Sequence, residues 1–226
     1  FFKNHHSLTR STHLLMFLLR YLGLKIAMTG KFIVFEGLDG AGKTLQSKLL
    51  SDYLLKTGNK VLLTKEPTSQ PIGLLIKKIL YGIYKVDPIT ETFLFAADRF
   101  EHLKNEIIPA LNQESWVISD RYYFTSVAYQ GAKGVDINTI LTINSFAKKP
   151  DLIIYLDVDA KKAVSRIKNH DNFEKLDFLE KVRENYLDFF SLYKEKDLNI
   201  IFIDGNKSIN QVAKQIRDDV KAWIFA

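Results

Sequence analysis

Five short stretches of the chain are apolar on consecutive positions: Lys31-Phe32-Ile33-Val34-Phe35, Lys60-Val61-Leu62-Leu63-Thr64, Trp116-Val117-Ile118-Ser119-Asp120, Asp151-Leu152-Ile153-Ile154-Tyr155-Leu156 and Asn199-Ile200-Ile201-Phe202-Ile203. Their length and their β-branched and aromatic content predict buried strands. After the first of them, Leu45, Leu49, Leu50 and Leu54 are interleaved with Gln46, Ser47, Lys48 and Asp52, a helical spacing. Further helices are predicted over Ile72–Tyr81, Thr90–Leu111, Asp136–Lys148, Ala160–Lys168, Leu176–Tyr193 and Ile209–Trp223, with Pro150 closing the segment that precedes the fourth strand. Strands apolar on both faces and separated by helices predict an α/β fold with a five-stranded parallel sheet flanked by helices on both faces. In such sheets ligands bind beyond the carboxyl ends of the strands, where the segment after Phe35, Glu66, Asp120 and Asp157 would gather.

The segment after the first strand is Gly37-Leu38-Asp39-Gly40-Ala41-Gly42-Lys43-Thr44. It matches the phosphate-binding pattern G-x-x-x-x-G-K-[ST] in the strand–loop–helix context that the pattern requires, which makes the fold a P-loop NTPase. Glycines let successive N–H groups turn inward toward phosphate oxygens, and the positive end of the following helix adds to that field. Lys43 is expected to reach the transferred phosphate and Thr44 to help hold Mg²⁺.

Composition adds little to this picture. With 226 residues the chain fits a single α/β domain, and the absence of cysteine excludes disulfides and thiolate metal sites. Of the net charge of +6, four charges belong to Lys3, Arg10, Arg20 and Lys25 in an N-terminal stretch without acids, which leaves about +2 elsewhere. Basicity therefore does not argue for nucleic acid. The apolar run Leu14–Leu19 is too short for a membrane span. Residues 1–27 read as a non-core extension. Upstream sequence from a misplaced start is the favoured account, with a targeting presequence or an amphipathic anchor as alternatives. The domain is expected over residues 28–226 and the protein in the cytoplasm.

A phosphate loop serves switches, motors and kinases alike. No Asn-Lys pair in the chain, Asn206-Lys207 included, is followed by the aspartate of a guanine-reading N-K-x-D segment. Asp120 is followed by Arg121 rather than a second acid, which suits gripping a phosphate more than activating water. Resemblance then becomes specific. Phe35 to Thr44, Lys65-Glu66-Pro67, Leu94-Phe95-Ala96-Ala97-Asp98-Arg99, Asp120-Arg121-Tyr122 and Ser126-Val127-Ala128-Tyr129-Gln130-Gly131 resemble the thymidylate kinase family in order and spacing, over about Lys31 to Trp223. The resemblance implies transfer of the ATP γ-phosphate to dTMP, with Mg²⁺.

It also implies roles. Asp39 accepts a hydrogen bond from the acceptor sugar's 3′-hydroxyl, or is a solvated loop aspartate. Phe95 stacks on thymine, or is a core residue. Arg99, one turn on, donates to a base carbonyl, or forms a surface salt bridge with Asp98 or Glu101. Asp120 organises Mg²⁺ and Arg121 clamps the acceptor phosphate, or the two form a structural pair. Ser126, Tyr129 and Gln130 line the base, although Tyr129 has a packing alternative. Glu66 ends the second strand near the acceptor phosphate, beside Lys65, where many relatives carry arginine.

The segment Arg166–Lys175 is read by position as a short lid. Gly40 stands where some relatives carry a loop arginine, so Arg166 is the first candidate for the cation near the moving phosphate and Lys168 the second. Arg183 holds nucleotide or pairs with Glu180 or Glu184. Phe173 resembles the lid aromatic, and His170 reads as a solvated residue. Transfer is expected to be direct and in-line. A different acceptor monophosphate such as dUMP, and an ATP-binding regulatory module with a decayed lid, stay as alternatives. A homodimer is expected through helices flanking the sheet.

Overall fold

The computed structural model describes residues 30–167, 172–193 and 198–225, and the side chains of these except at 172–175 and 193. The expected extension 1–27 and the lid candidates Lys168, His170, Phe173 and Lys175 therefore lie outside the described residues or side chains.

The elements, in chain order, are β1 (Phe32–Gly37), α1 (Lys43–Lys56), β2 (Val61–Lys65), α2 (Pro71–Leu80) and α3 (Pro88–His102), the last continuing through a π-helical turn (Leu103–Ile107) into α4 (Ile108–Asn112). There follow β3 (Trp116–Asp120), α5 (Tyr123–Ala132), α6 (Ile137–Ile143), β4 (Leu152–Asp157), α7 (Ala160–Ser165), α8 (Asn172–Tyr193), β5 (Ile200–Asp204) and α9 (Ile209–Ile224). The five strands form one parallel sheet in the order β2-β3-β1-β4-β5. Central β1 is buried along its whole length, as are all residues of β3, because helices cover both faces. The edge strands β2 and β5 are half-exposed.

Local chemistry starts the helices where they start. Pro71 and Pro88 open α2 and α3, Asp87 accepts from the N–H of Ile89 (2.9 Å), and Ser208 with Gln211 forms a capping box on α9. The expected helix Thr90–Leu111 is three segments, its register shifted by the π turn. The one expected over Asp136–Lys148 spans Ile137–Ile143 alone, capped by Asp136. Among the described residues no helix is long and apolar enough to cross a membrane.

The sheet delivers its carboxyl ends to one edge. Gly37, Lys65, Asp120 and Asp157 finish their strands there, Lys65 paired with Asp120, Asp120 with Phe35, and Gly37 with Leu156.

Candidate active site

The loop leaves β1 at Gly37 and enters α1 at Lys43. Gly40 has a left-handed backbone (φ +82°), and a Cβ there would stand 2.4 Å from the carbonyl oxygen of Ala163 on α7. Steric contact thus removes any side chain, including an arginine, from this position. Lys43 is buried and donates from Nζ to the carbonyls of Gly37 (2.9 Å) and Leu38 (2.7 Å), lying across the loop. Burial, then the neighbouring charge of Arg121, lowers its pKa from 10.5 to about 8.

Thr44 Oγ1 donates to Asp120 Oδ2, which joins the first turn of α1 to the end of β3. Asp120 Oδ1 is buried without a hydrogen-bond partner among the described residues. An unmatched carboxylate oxygen beside a hydroxyl is a donor set that fits a hard divalent cation completing its shell with phosphate and water. Among the described residues no cluster of three or more His, Cys, Asp or Glu side chains could hold a metal without such help.

Arg121 follows Asp120 with φ +79°, a left-handed conformation rare for a residue with a side chain. Its N–H donates to Phe35 O (3.0 Å), and Ser119 Oγ donates to its carbonyl (2.7 Å), so the turn is pinned at both ends. The turn carries the guanidinium onto the Asp39 carboxylate, over the ring of Tyr129 (5.5 Å). Tyr129 OH in turn accepts from the Asp39 N–H (2.8 Å). Burial, then the Asp39 charge, holds the Tyr129 hydroxyl well above its ordinary pKa.

Beneath this turn lies Glu36, fully buried at the end of β1. It accepts from the Tyr122 N–H (2.8 Å), Thr125 Oγ1 (2.7 Å) and Tyr186 OH (2.8 Å), linking β1, α5 and α8. Burial raises its pKa from 4.5 to about 7 against the opposing pull of those hydroxyls and of Arg121 and Lys43. The sequence reading did not single out Glu36. Its signal is a lone carboxylate directly after the apolar run Phe32-Ile33-Val34-Phe35, before the first glycine of the loop.

On the Arg121 side of the loop opens a cavity of about 190 Å³, lined by Asp39, Phe95, Arg121, Tyr129 and Gln130 together with Pro67, Leu80, Glu91, Thr125 and Lys133. Five of the expected acceptor residues thus meet at one cavity. Glu66, Arg99 and Ser126 do not line it. Arg99, 1% exposed, donates from Nε to Glu66 Oε2 (2.8 Å), pairs through a second nitrogen (2.7 Å), and bonds Asn144 with the third. Glu66 Oε1 also faces His102 Nδ1 (3.2 Å). The spacing of Phe95 and Arg99 puts both on one buried face of α3, yet the buried Glu66 carboxylate draws the guanidinium to itself. The surface pairing of Arg99 with Asp98 or Glu101 is not what forms; Asp98 instead holds Thr68, through N–H (2.8 Å) and Oγ1 (2.6 Å). Ser126 is buried with its Oγ unpartnered among the described residues. Lys65 is exposed.

On the opposite side of the loop, Arg166 donates to the carbonyls of Gly40 (3.1 Å) and Gly205 (3.3 Å), bridging the loop and the end of β5. Arg183 pairs with both oxygens of Asp157 (2.7 and 2.8 Å) rather than with Glu180 or Glu184, joining α8 to the end of β4.

The family model described as thymidylate kinase matches residues 35–216. A probable thymidylate kinase of Pyrococcus horikoshii is 45% identical over 177 residues, covering 74% of this chain and 86% of its own. The protein of the same name from Methanocaldococcus jannaschii is 44% identical over 186 residues (82% and 93%), and that of Pyrococcus abyssi 41% over 198 (84% and 95%).

Proposed function

We propose a division of labour among these residues from one premise: the chain belongs to the thymidylate kinase family, and it phosphorylates dTMP to dTDP with ATP. The observation that carries the assignment is convergence. Lys43 from α1, the Thr44–Asp120 pair and Arg121 from the end of β3 all meet at the loop 37–44, with the cavity of Phe95 and Tyr129 on one side.

In this reading the backbone N–H groups of residues 37–44 and the Lys43 ammonium hold the β- and γ-phosphates of ATP and oppose the charge that spreads during transfer. Thr44 and Asp120 hold Mg²⁺, which supplies further charge neutralisation when bound. Arg121 exchanges Asp39 for the acceptor phosphate, and the released carboxylate accepts from the 3′-hydroxyl. Phe95 stacks on the base, with Tyr129 and Gln130 around it. Glu66 and Arg99, paired with each other, brace the wall at Pro67 and Phe95. Arg166 serves the donor side, within reach of the loop carbonyl at Gly40. The acceptor phosphate is already anionic, so transfer needs no strong base and proceeds in-line without a covalent intermediate.

The apolar outer face of α3 supports a homodimer. Phe93 and Phe100 are 57% and 50% exposed, and Phe100 stacks edge-on against half-exposed Phe146 (5.3 Å). The catalytic unit is residues 28–226, and its place is the cytoplasm; a fluorescent fusion of the full chain found in an organelle would instead assign residues 1–27 to targeting.

The decisive experiment measures ADP release by the full-length protein with Mg-ATP and a panel of monophosphates. Expected is release dependent on dTMP, lowered by orders of magnitude in folded Lys43→Ala. ATP binding without acceptor-dependent ADP release, or retained activity in the variant, overturns the assignment.

A further inference from the structure

One wall of the acceptor cavity carries charge that the mechanism above leaves unused. Glu91, in the first turn of α3, has a side chain only 5% exposed and accepts from Lys133 Nζ of the α5–α6 connection (2.6 Å). Its other oxygen faces Gln130 Nε2 (3.4 Å). Glu91, Gln130, Lys133 and Phe95 all line the one cavity.

The chemistry of these groups fixes a direction. An ionised carboxylate accepts hydrogen bonds and donates none, so the amide must turn its NH₂ toward Glu91. The Gln130 carbonyl oxygen then points away from Glu91, and it is buried without a hydrogen-bond partner among the described residues. A buried acceptor without a donor is unfavourable unless a ligand provides one. Lys133 offsets the carboxylate charge, and the N-terminal end of α3 favours it further.

We propose that Glu91, braced by Lys133, is a positioning residue that sets the hydrogen-bonding polarity of the acceptor-base site. It holds Gln130 with its carbonyl oxygen presented to the ring N3–H of thymine. Cytosine offers a lone pair at N3 instead, so two acceptors would face each other and dCMP is rejected. Uracil carries the same N3–H as thymine, so this device does not separate dUMP from dTMP. The inference rests on the cavity being the dTMP site.

The test is equilibrium binding of dTMP, dUMP and dCMP to the full-length protein without ATP. Wild type is compared with Glu91→Gln, Gln130→Leu and the double variant. In wild type dCMP binds weaker than dTMP by on the order of 100-fold. In Glu91→Gln, where the neighbouring amide lets Gln130 present either end, that ratio contracts to about 10-fold or less, while the dUMP-to-dTMP ratio holds. Gln130→Leu contracts it likewise, and adding Glu91→Gln to Gln130→Leu changes nothing more. A merely structural Glu91 would weaken all three ligands together. An unchanged dCMP penalty in folded Glu91→Gln overturns the inference, as does a further change in the double variant, which would mean that Glu91 meets the base directly. Should Glu91→Gln fail to fold, an unchanged penalty in Gln130→Leu overturns it alone. Wild type that binds none of the three removes the reading of the cavity itself, and the inference with it.

Discussion

The Arg121 guanidinium rests on the Asp39 carboxylate, across the gap between the end of β3 and the phosphate loop. Each group thereby satisfies the other where the acceptor's phosphate and sugar are assigned to bind. Arg121→Met should lower kcat/KM for dTMP by roughly 100- to 1,000-fold, as expected for loss of a charge-assisted phosphate contact, and leave ATP affinity nearly unchanged. Steady-state kinetics with each substrate varied in turn measure both numbers. Equal losses for ATP and dTMP would place Arg121 on the donor side.

The approach of Ala163 to Gly40 gives a second expectation. Gly40→Ala combines a left-handed backbone, which costs an L-residue roughly 1–2 kcal/mol, with a clash against a backbone carbonyl that cannot swing aside. The melting temperature should fall by about 5 °C or more, and turnover with it, because relief of the clash displaces either the loop or α7. Thermal melts and kinetics on the purified variant decide this. Unchanged stability would mean that α7 yields freely.

Lys43 titrates near 8 in the free protein because it is buried and stands near Arg121. Below that pH the ammonium is charged and ready for phosphate; above it, the charge is lost. kcat/KM for ATP should therefore fall as pH rises through about 8, with the corresponding limb of kcat displaced to higher pH, since bound triphosphate favours the charged form. A pH–rate profile flat to pH 10 would contradict the assignment.

Glu36 makes stability, rather than turnover, depend on pH. Its folded pKa of about 7 exceeds the ordinary 4.5, so the folded chain binds this proton more tightly than the unfolded one. Its contribution is full below about pH 4.5 and is lost as pH rises through about 7. Glu36→Gln should flatten that portion of the dependence of melting temperature on pH. Parallel slopes in the two proteins between pH 4.5 and 7 would place the titrating group elsewhere.

Placing a charge on the outer face of α3 tests the assembly. Phe100→Glu should convert a dimer to a monomer by sedimentation analysis while the fold persists, because the charge would be buried in an apolar interface. A wild-type protein that sediments as a monomer would refute the dimer outright.

The strands and the phosphate loop were legible in the sequence because buried parallel strands are written as continuous apolar runs. The ends of helices were not. α5 begins Tyr123-Phe124-Thr125-Ser126-Val127, a stretch that favours a strand by composition, and Phe124 through Ala128 are all buried, so no polar stripe marks the helix. Asn144 to Lys148 lies beyond α6 although its pattern continues, and the π turn at Leu103–Ile107 is invisible to a 3.6-residue period. At the site, motif spacing singled out residues of which five share one cavity, but it did not give their partners. Arg99 and Glu66 are 33 positions apart, and Arg183 and Asp157 are joined across elements, so each pairing depends on how helices dock on the sheet. Glu36 was overlooked because a carboxylate in an apolar strand gains meaning only once Thr125 and Tyr186 are seen to converge on it.

The central place of β1 has a consequence for synthesis on the ribosome. Its two neighbours are β3 and β4, and the register with β4 is complete only at Leu156, roughly 120 residues after β1 has been made. At about 5–20 residues per second, the strand that leads into the phosphate loop waits on the order of 6–24 s for its second partner. During that interval the apolar segment Phe32–Phe35 has an open edge, so the arrangement that centres the nucleotide site also makes the growing chain dependent on protection from aggregation.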